Sequence, residues 1–513
     1  MVTTSVRLSV ISAGIAFLAL GCQILTARTF GARHEFDIYL VAISVPFLVV
    51  GAASGALSQA FVPRLVAAQR DPGLYRATIS GLIGSTVLGG TIVVLTGFFG
   101  TIWAVAAIGG TFSAADRIQI VLIARIAWLS AGSTLLASAF AAVHHSERRF
   151  FLPAVTGAAP YAGMITAMSL LPPSTGPVML AWGMLAGSVC ATLVLLPAVL
   201  RRTPFHHPPR ASALSVFDGV GSVILVVIAN CAFTGLAPVE ALLAPRFGPG
   251  SLSYLGYSQR IIIALGAIVV AGPSVALVPS IAAAVAARKD YRVTVLARKN
   301  IAAVLAIASL AALVFSLIRV PVIRLCLEHG AFDSTMTRGV AGTLPWMLFG
   351  SIAMLGSLTA FRVLYGQNIY RLPAVIGVVL PILYLSLGFL FVPQFGFQGI
   401  CVAYATCWWL VLFVLLTIIF GFHPKRMLAR IAVPLFPLVA AFTSTAVAVW
   451  VGRELLLAQG TQLNTIELTL RCGAVAGAGI ALFVLMTALV WPVPIIRAIV
   501  FDGFERLVGK RCC

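Results

Sequence analysis

Charged residues interrupt the long apolar stretches of this chain at Asp37, Arg125 and Arg260, the last preceded by Gln259, and at Arg362, which lies near the end of its span. A charge inside a membrane-crossing helix costs about 2.5–3.5 kcal/mol even on a lenient insertion scale, so it needs an opposite charge, a ligand or water. A carboxylate at such a position is suited to a cation, and an arginine is suited to an anion. These residues are therefore the first candidates for a binding site.

Each of the first three charges has two interpretations. Asp37 is either a carboxylate at a helix start, where the helix dipole favours it, or an acid that lines a cavity and pairs with a cation. Arg125 lies near enough to a helix end to extend its charge to the interface, or it lines a cavity. Arg260 forms a structural ion pair with Asp37, or it binds an anion in a cavity.

The composition indicates the elements that position these residues. The chain has 513 residues, of which 60% are hydrophobic and 9% charged, and its mean hydropathy is +1.06. A soluble domain is roughly 25% charged. The apolar runs are continuous rather than alternating, and only helices or closed barrels satisfy their backbone groups in lipid. The sequence thus predicts an all-α polytopic membrane protein.

We predict about fourteen transmembrane helices, because a crossing needs about 20 apolar residues. The first span follows a single Arg7 and is too long for the apolar region of a signal peptide, so it is kept as a transmembrane helix. Pro63 is expected to end the second helix. The spans are residues 7–27, 37–60, 78–105, 118–142, 152–171, 177–200, 214–236, 254–284, 299–319, 339–366, 372–392, 397–421, 428–451 and 468–491.

Charge placement predicts orientation and partners. Most of the 34 Lys and Arg residues fall in alternate short loops on one side, which predicts that both termini are cytoplasmic. The net charge of +20 therefore favours anionic lipids rather than nucleic acid as partners.

The nine cysteines have no CxxC spacing, and no paired carboxylates or nucleophile constellation appear. We expect neither an enzyme nor a bound cofactor or metal; a coupling ion or the membrane potential stays open.

A degenerate repeat organises the chain. Residues Phe30 to Arg76 reappear as Phe247 to Arg292, each copy starting with Phe-Gly and containing a Val-Pro pair. Farther on, LPAV at Leu152 is repeated at Leu372. The repeat unit holds six predicted helices, and an even number gives both units the same orientation, related by an axis along the membrane normal.

The repeat and the Pro-rich segment RRTPFHHPPR predict four regions. They are an N-lobe at 1–205, a C-lobe at 206–424, two further helices at 425–495 and an amphipathic cytoplasmic tail at 496–513.

At SGALSQAFVPRLVA (Ser54 to Ala67), the chain resembles the MurJ/MviN lipid II flippases of the multidrug/oligosaccharidyl-lipid/polysaccharide exporter superfamily. ARTFGA with Asp37, the SQR string ending at Arg260 and the loop LEHGAFDSTMT support the resemblance. It implies export of a polyprenyl-diphosphate-linked glycan, a lipid II-like peptidoglycan precursor, across the bacterial inner membrane by alternating access. It also implies a lipid-tail groove at the last two helices and glycan-synthesis enzymes as partners.

The resemblance assigns Asp37, Arg260 and Arg28 to a cavity, where arginine forks suit a diphosphate. The first-helix arginines of the family fall on Ala16 and Cys22, and the leading glutamate of its signature is Ser54. These departures keep three alternatives open: a flippase for another lipid-linked polysaccharide unit, a drug or metabolite antiporter, and a non-transporting scaffold for glycan assembly.

Overall fold

A computed structural model describes residues 2–108, 112–147, 149–201, 220–271 and 290–420, with isolated residues between 277 and 288 and between 471 and 478. Within these ranges the chain is helical, and no β-strand occurs among them. The all-α prediction is thereby confirmed. Most of the Pro-rich segment RRTPFHHPPR (Arg201 to Arg210, the linker), most residues of the predicted spans 428–451 and 468–491, and the tail lie outside the described residues.

The first half of the chain contains seven α-helices up to the linker, followed by two more. They are α1 (Val2–Phe30), α2 (His34–Ala68), α3 (Pro72–Ile108), α4 (Ala114–Ser146), α5 (Phe151–Thr156), α6 (Ala159–Leu170), α7 (Val178–Leu200), α8 (Val220–Thr234) and α9 (Leu236–Leu243), with 3-10 turns at Pro173–Thr175 and Ala244–Phe247.

Five further helices complete the described part. They are α10 (Ser251–Ala271), α11 (Asp290–Leu327), α12 (Ser334–Gly366), α13 (Arg371–Phe395) and α14 (Gln398–Phe420). Within the described residues, nine helical segments are long and apolar enough to cross a membrane, and Gly14–Phe30 is a shorter apolar one. The chain is therefore a multi-pass membrane protein, and the total of fourteen spans stays a prediction.

The structure differs from two predictions about the continuity of a helix. The predicted span 152–171 is divided into α5 and α6, and Pro160 stands in the first turn of α6, where its missing N–H costs nothing. Helix α2 continues through Pro63 to Ala68, so the expected break is absent. Phe61 and Leu65 are buried in a cluster with residues of α3, α4 and α7, and this burial offsets the backbone hydrogen bond that proline lacks.

The described chain forms two compact units. The first comprises the described residues within Met1–Ser253, Gly330–Phe332 and Tyr370–Ser386, and the second comprises those within Tyr254–His329, Asp333–Ile369 and Leu387–Cys513. In the first unit α4 packs against α2, α3 and α7. Helix α8 also packs on α2, where the Asn230 amide donates to the Ala52 carbonyl at 3.0 Å. Helix α8, which follows the predicted lobe boundary at residue 206, thus packs on a helix that precedes this boundary. The lobe boundary itself stays a prediction.

In the second unit α12 is the central helix, and it packs against α11 and α14. Small residues make this packing close: a Cβ on Gly350 would lie 2.7 Å from the Tyr404 ring and 2.8 Å from the Ala405 Cα. Tyr404 and Ala405 are both buried. Small residues at helix contacts allow the backbones of membrane helices to approach, because lipid supplies no hydrophobic drive for their association.

Helices α6 and α7 meet through three glycines. A Cβ on Gly163 would lie 2.1 Å from the Gly183 carbonyl oxygen, and a Cβ on Gly187 would lie 2.2 Å from the Ala159 carbonyl oxygen. Gly183 and Gly187 are spaced as in a GxxxG pair, which lets two backbones touch. The two helices can therefore keep this distance only while these positions carry hydrogen alone.

We expect Gly163→Ala to lower the melting temperature of the detergent-purified chain, because the new methyl group clashes with backbone that has no rotamer to change. The cost of overpacking is about 1–3 kcal/mol. Gly84→Ala on α3 is the matched control, since its Cβ would meet nothing within 4 Å. Equal melting temperatures for the two variants would contradict backbone contact between α6 and α7.

Candidate functional site

Asp37 is fully buried and accepts three hydrogen bonds. The Gly250 amide donates to its Oδ2 at 2.6 Å, and the Ser253 amide and hydroxyl donate to its Oδ1 at 2.7 and 2.5 Å. The side chain is 2% exposed. Both carboxylate oxygens are thus used by donors from the segment Gly250 to Ser253.

These donors belong to the first turn of α10. The amides of that turn have no partner within their own helix, and a carboxylate is the group that best satisfies them. Gly250 has φ of +88°, a conformation that glycine adopts readily. The geometry favours the helix-dipole interpretation of Asp37, with the difference that the carboxylate serves the start of α10 in addition to its own α2.

The two helix starts are related by the repeat. Asp37 bonds residues 213 and 216 positions later, close to the spacing of 217 between Phe30 and Phe247. The first turn of α2 is therefore hydrogen bonded to the first turn of its repeat counterpart.

A second polar cluster lies beside this contact. His34 Nε2 is 3.0 Å from Asp116 Oδ2. Asp116 also forms a capping box with Ser113 at the start of α4. The His34 ring stacks on Phe112 with centroids 5.7 Å apart. These contacts join the starts of α2 and α4, two helices of the first unit.

Arg28 is exposed in the last turn of α1. Its carbonyl accepts a hydrogen bond from the Ala331 amide at 2.9 Å. A Cβ on Gly330 would lie 2.5 Å from the same carbonyl oxygen, and Gly330 has φ of +65°. Glycine is thus required twice at this position, for space and for conformation. The loop between α11 and α12 is held against the end of α1 by backbone contact.

Arg260 and Gln259 are half-buried on α10, in the second unit. Their neighbour Ser258 is fully buried, and its hydroxyl is 2.6 Å from the hydroxyl of Thr343 on α12. This bond fixes the rotation of α10 about its axis. The predicted pair Asp37 and Arg260 falls into different compact units, and the carboxylate of Asp37 is already bonded to backbone and serine donors.

Arg125 is half-buried on α4, and its guanidinium carbon lies 4.9 Å from the centroid of the Phe98 ring. Its Nε is enclosed by protein and has no hydrogen-bond partner within the described residues. Three large apolar residues on the same helical stripe are exposed: Ile118, Leu122 and Leu129. This environment is typical of a lipid-facing surface, which favours the snorkelling interpretation.

One buried acid, Glu240 on α9, is not among the residues predicted from the sequence. Its side chain is 2% exposed, and the Tyr384 hydroxyl donates to its Oε1 at 3.2 Å. The repeat contained the signal, because the spacing of 217 places Gln23 of α1 at the equivalent position. A polar side chain at the same site in both copies indicates that both α1 and α9 need one there.

No group of three or more His, Cys, Asp or Glu side chains within the described residues has metal-binding geometry. The predicted site residues thus form separate local environments. Asp37 lies in the first unit beside Gly250 and Ser253, and Arg28 lies in the same unit beside Gly330 and Ala331. Arg125 lies on an exposed apolar stripe of the first unit, and Gln259 and Arg260 belong to the second unit.

Comparison with known proteins identifies relatives over most of the chain. The family model described as lipid II flippase MurJ matches residues 26–470. A lipid II flippase MurJ of Burkholderia cenocepacia is 26% identical over 401 residues, which are 74% of this chain and 76% of that protein. A probable lipid II flippase MurJ of Thermotoga maritima is 30% identical over 263 residues, about half of each chain.

Solved structures agree at the level of the fold. A structure of a lipid II flippase MurJ in an inward closed conformation has a TM-score of 0.74 and 18% identity, covering 96% of this chain and all of that one. An inward-facing multidrug transporter of the MATE family has a TM-score of 0.64 and 12% identity, covering 81% and 94%.

Proposed function

We propose that this chain, which belongs to the lipid II flippase MurJ family, moves a polyprenyl-diphosphate-linked glycan from the inner to the outer leaflet by alternating access. The observation that carries the proposal is the match of the family model to residues 26–470. A fold-level likeness to multidrug transporters alone does not distinguish a drug from a glycolipid. The family match makes the difference.

Arg260 is the proposed contact to the diphosphate. Its planar guanidinium donates parallel hydrogen bonds that match phosphate oxygens, and Gln259 beside it supplies an amide donor for the glycan. The bond between Ser258 and Thr343 holds both residues at a fixed rotation of α10. Preorganisation of this kind raises affinity, because fewer rotamers have to be ordered when the ligand binds.

Asp37 and Arg28 have a positioning role in this proposal. Asp37 holds the first turn of α10, the helix that carries Arg260, by three hydrogen bonds. The end of α1 holds the Gly330 loop that leads into α12. Both contacts therefore act on the two helices that the bond between Ser258 and Thr343 joins.

The proposed location is the bacterial cytoplasmic membrane, with both termini in the cytoplasm. The placement of basic residues in alternate loops supports this orientation. The partners would be the glycolipid, anionic lipids and the enzymes that assemble the glycan. Transport by this mechanism requires no enzymatic chemistry, and an ion gradient or the membrane potential would supply its direction.

Proteoliposomes test the proposal. The full chain is reconstituted into vesicles that carry a fluorescent polyprenyl-diphosphate disaccharide-peptide in the inner leaflet, and its appearance outside is measured by quenching. We expect transport of this lipid and none of a polyprenyl monophosphate without sugar. Absence of transport in folded, correctly inserted protein would contradict the proposal and favour the scaffold alternative.

A second candidate substrate is a different lipid-linked glycan. Cys22, the position at which the resemblance places a family arginine, is fully buried. Its neutral side chain supplies no charge to a diphosphate. Vesicles containing a polyprenyl-diphosphate monosaccharide or a longer repeat unit decide between the two: faster transport of either lipid than of the disaccharide-peptide would favour this candidate.

A further inference from the structure

The outer face of α3 and α4 carries a charge that the proposed transport does not use. Arg125 lies on one stripe of α4 with Ile118, Leu122 and Leu129, whose side chains are 73, 48 and 45% exposed. Spacings of three and four residues place all four on the same side of a helix. The guanidinium of Arg125 therefore lies on the surface that these apolar residues present.

The neighbouring face of α3 is apolar along most of its length. Its exposed large residues are Leu88, Ile92, Leu95, Phe99, Ile102 and Trp103. Such a face on a membrane-crossing helix meets acyl chains, because a water-filled cavity would be lined by polar groups. The surroundings of Arg125 are thus lipid rather than an aqueous pathway.

The protein satisfies the guanidinium of Arg125 only in part. The Phe98 ring lies under it, and a cation–π contact is worth about 0.5–2 kcal/mol. Its Nε is enclosed and has no hydrogen-bond partner, and no carboxylate pairs with it in the part of the chain that the structure describes. The positive charge of Arg125 therefore has no anionic partner among the described residues, and an anion from outside the protein can supply one at the terminal nitrogens of the guanidinium.

The depth of the guanidinium is compatible with a lipid headgroup. Trp103 is 80% exposed and lies one and a half turns nearer the end of α3 than Phe98, a distance of about 7 Å along the axis. Exposed tryptophans mark the membrane interface. An arginine just below that level extends its charge upward to the phosphates.

We infer that Arg125 and Phe98, together with the exposed apolar face of α3 and α4, form a binding site for an anionic phospholipid. Its phosphate accepts hydrogen bonds from Arg125 while the Phe98 ring holds the guanidinium plane, and one acyl chain lies along the exposed face of α3 and α4. The occupant is a glycerophospholipid of the leaflet at the end of α3. It differs in place from the diphosphate contact proposed at Arg260, which belongs to the other compact unit.

Native mass spectrometry of the detergent-purified full chain, titrated with phosphatidylglycerol, tests the site. We expect Arg125→Gln to weaken the tightest binding step about tenfold, the loss of one charged hydrogen-bond pair. Arg125→Lys should weaken it less, because an ammonium keeps the charge and loses the planar fork. Phe98→Leu should give a weaker effect of the same sign.

Arg338→Gln is the matched control, since it removes the same charge from an exposed position at the start of α12. Diacylglycerol and inorganic phosphate, offered separately, should neither bind at this step nor displace phosphatidylglycerol. Equal binding by the wild type and Arg125→Gln overturns the inference, as does displacement by inorganic phosphate alone. Equal melting temperatures of Arg125→Lys and the wild type show that weaker lipid binding by this variant is not caused by misfolding.

Discussion

Arg260→Ala is expected to abolish flipping of a polyprenyl-diphosphate glycan while the protein stays folded. A hydrogen bond to a charged group is worth about 1.5–3 kcal/mol. Losing one bond in the rate-limiting state slows transport about ten- to hundredfold, and a bidentate contact loses two. The measurement is the initial rate in proteoliposomes, together with the melting temperature of the same preparation.

Two further variants separate the role of the Arg260 guanidinium from the loss of a charge. Arg260→Lys keeps the charge, and we expect it to retain part of the rate because an ammonium binds phosphate as a point charge. Arg338→Ala removes an arginine from an exposed position of the same compact unit and should transport at the wild-type rate. Full transport by Arg260→Ala would remove Arg260 from the mechanism and leave the scaffold or a different head-group contact to explain its position.

The second large effect is expected at Asp37. Asp37→Asn keeps the size of the side chain and replaces one acceptor oxygen by a donor, which then faces the donors of Gly250 or Ser253. Burial makes the mismatch costly, about 2–4 kcal/mol. We expect a fall in melting temperature and a parallel fall in transport, because α10 loses the anchor of its first turn.

Glu35→Gln is the control for this change, since it removes an exposed carboxylate from the same turn of α2. A double-mutant cycle of Asp37→Asn with Ser253→Ala separates the contact from other effects. We expect a coupling energy well above the ~0.5 kcal/mol of independent sites. Additive effects of the two changes, or an unchanged melting temperature with Asp37→Asn, would show that the carboxylate does not hold α10.

Apolar length alone was enough to predict the membrane helices. Each predicted span up to residue 421 overlaps a described helix, because about 20 apolar residues have few other stable structures in lipid. Helix ends were less predictable. Helix α2 passes Pro63 because Phe61 and Leu65, which follow the apolar segment His34–Leu57, are buried against neighbours that local sequence does not reveal.

The partners of charged residues were the least predictable part of the site. The sequence placed Asp37 at a helix start, and the structure adds the donors Gly250 and Ser253, more than 200 residues away. Glu240 gives no periodic signal because it is a single acid in an otherwise apolar segment. Its only signal in the sequence is the polar residue Gln23 at the equivalent position of the other copy. The exposure of the apolar stripe that carries Arg125 depends on how α3 and α4 pack, which the local sequence does not show.

In the three hydrogen bonds that join Asp37 to the start of α10, Gly250 and Ser253 supply the donors and Asp37 supplies the acceptors. At the spacing of 216 that relates Val62-Pro63 to Val278-Pro279, Ser253 is the counterpart of Asp37, so the first copy supplies the acceptor and the second copy the donor. A chain assembled from two first copies would set a carboxylate against a carboxylate, and one assembled from two second copies would leave the serine without its acceptor. The two halves of this protein have thus become a complementary pair, and neither can replace the other.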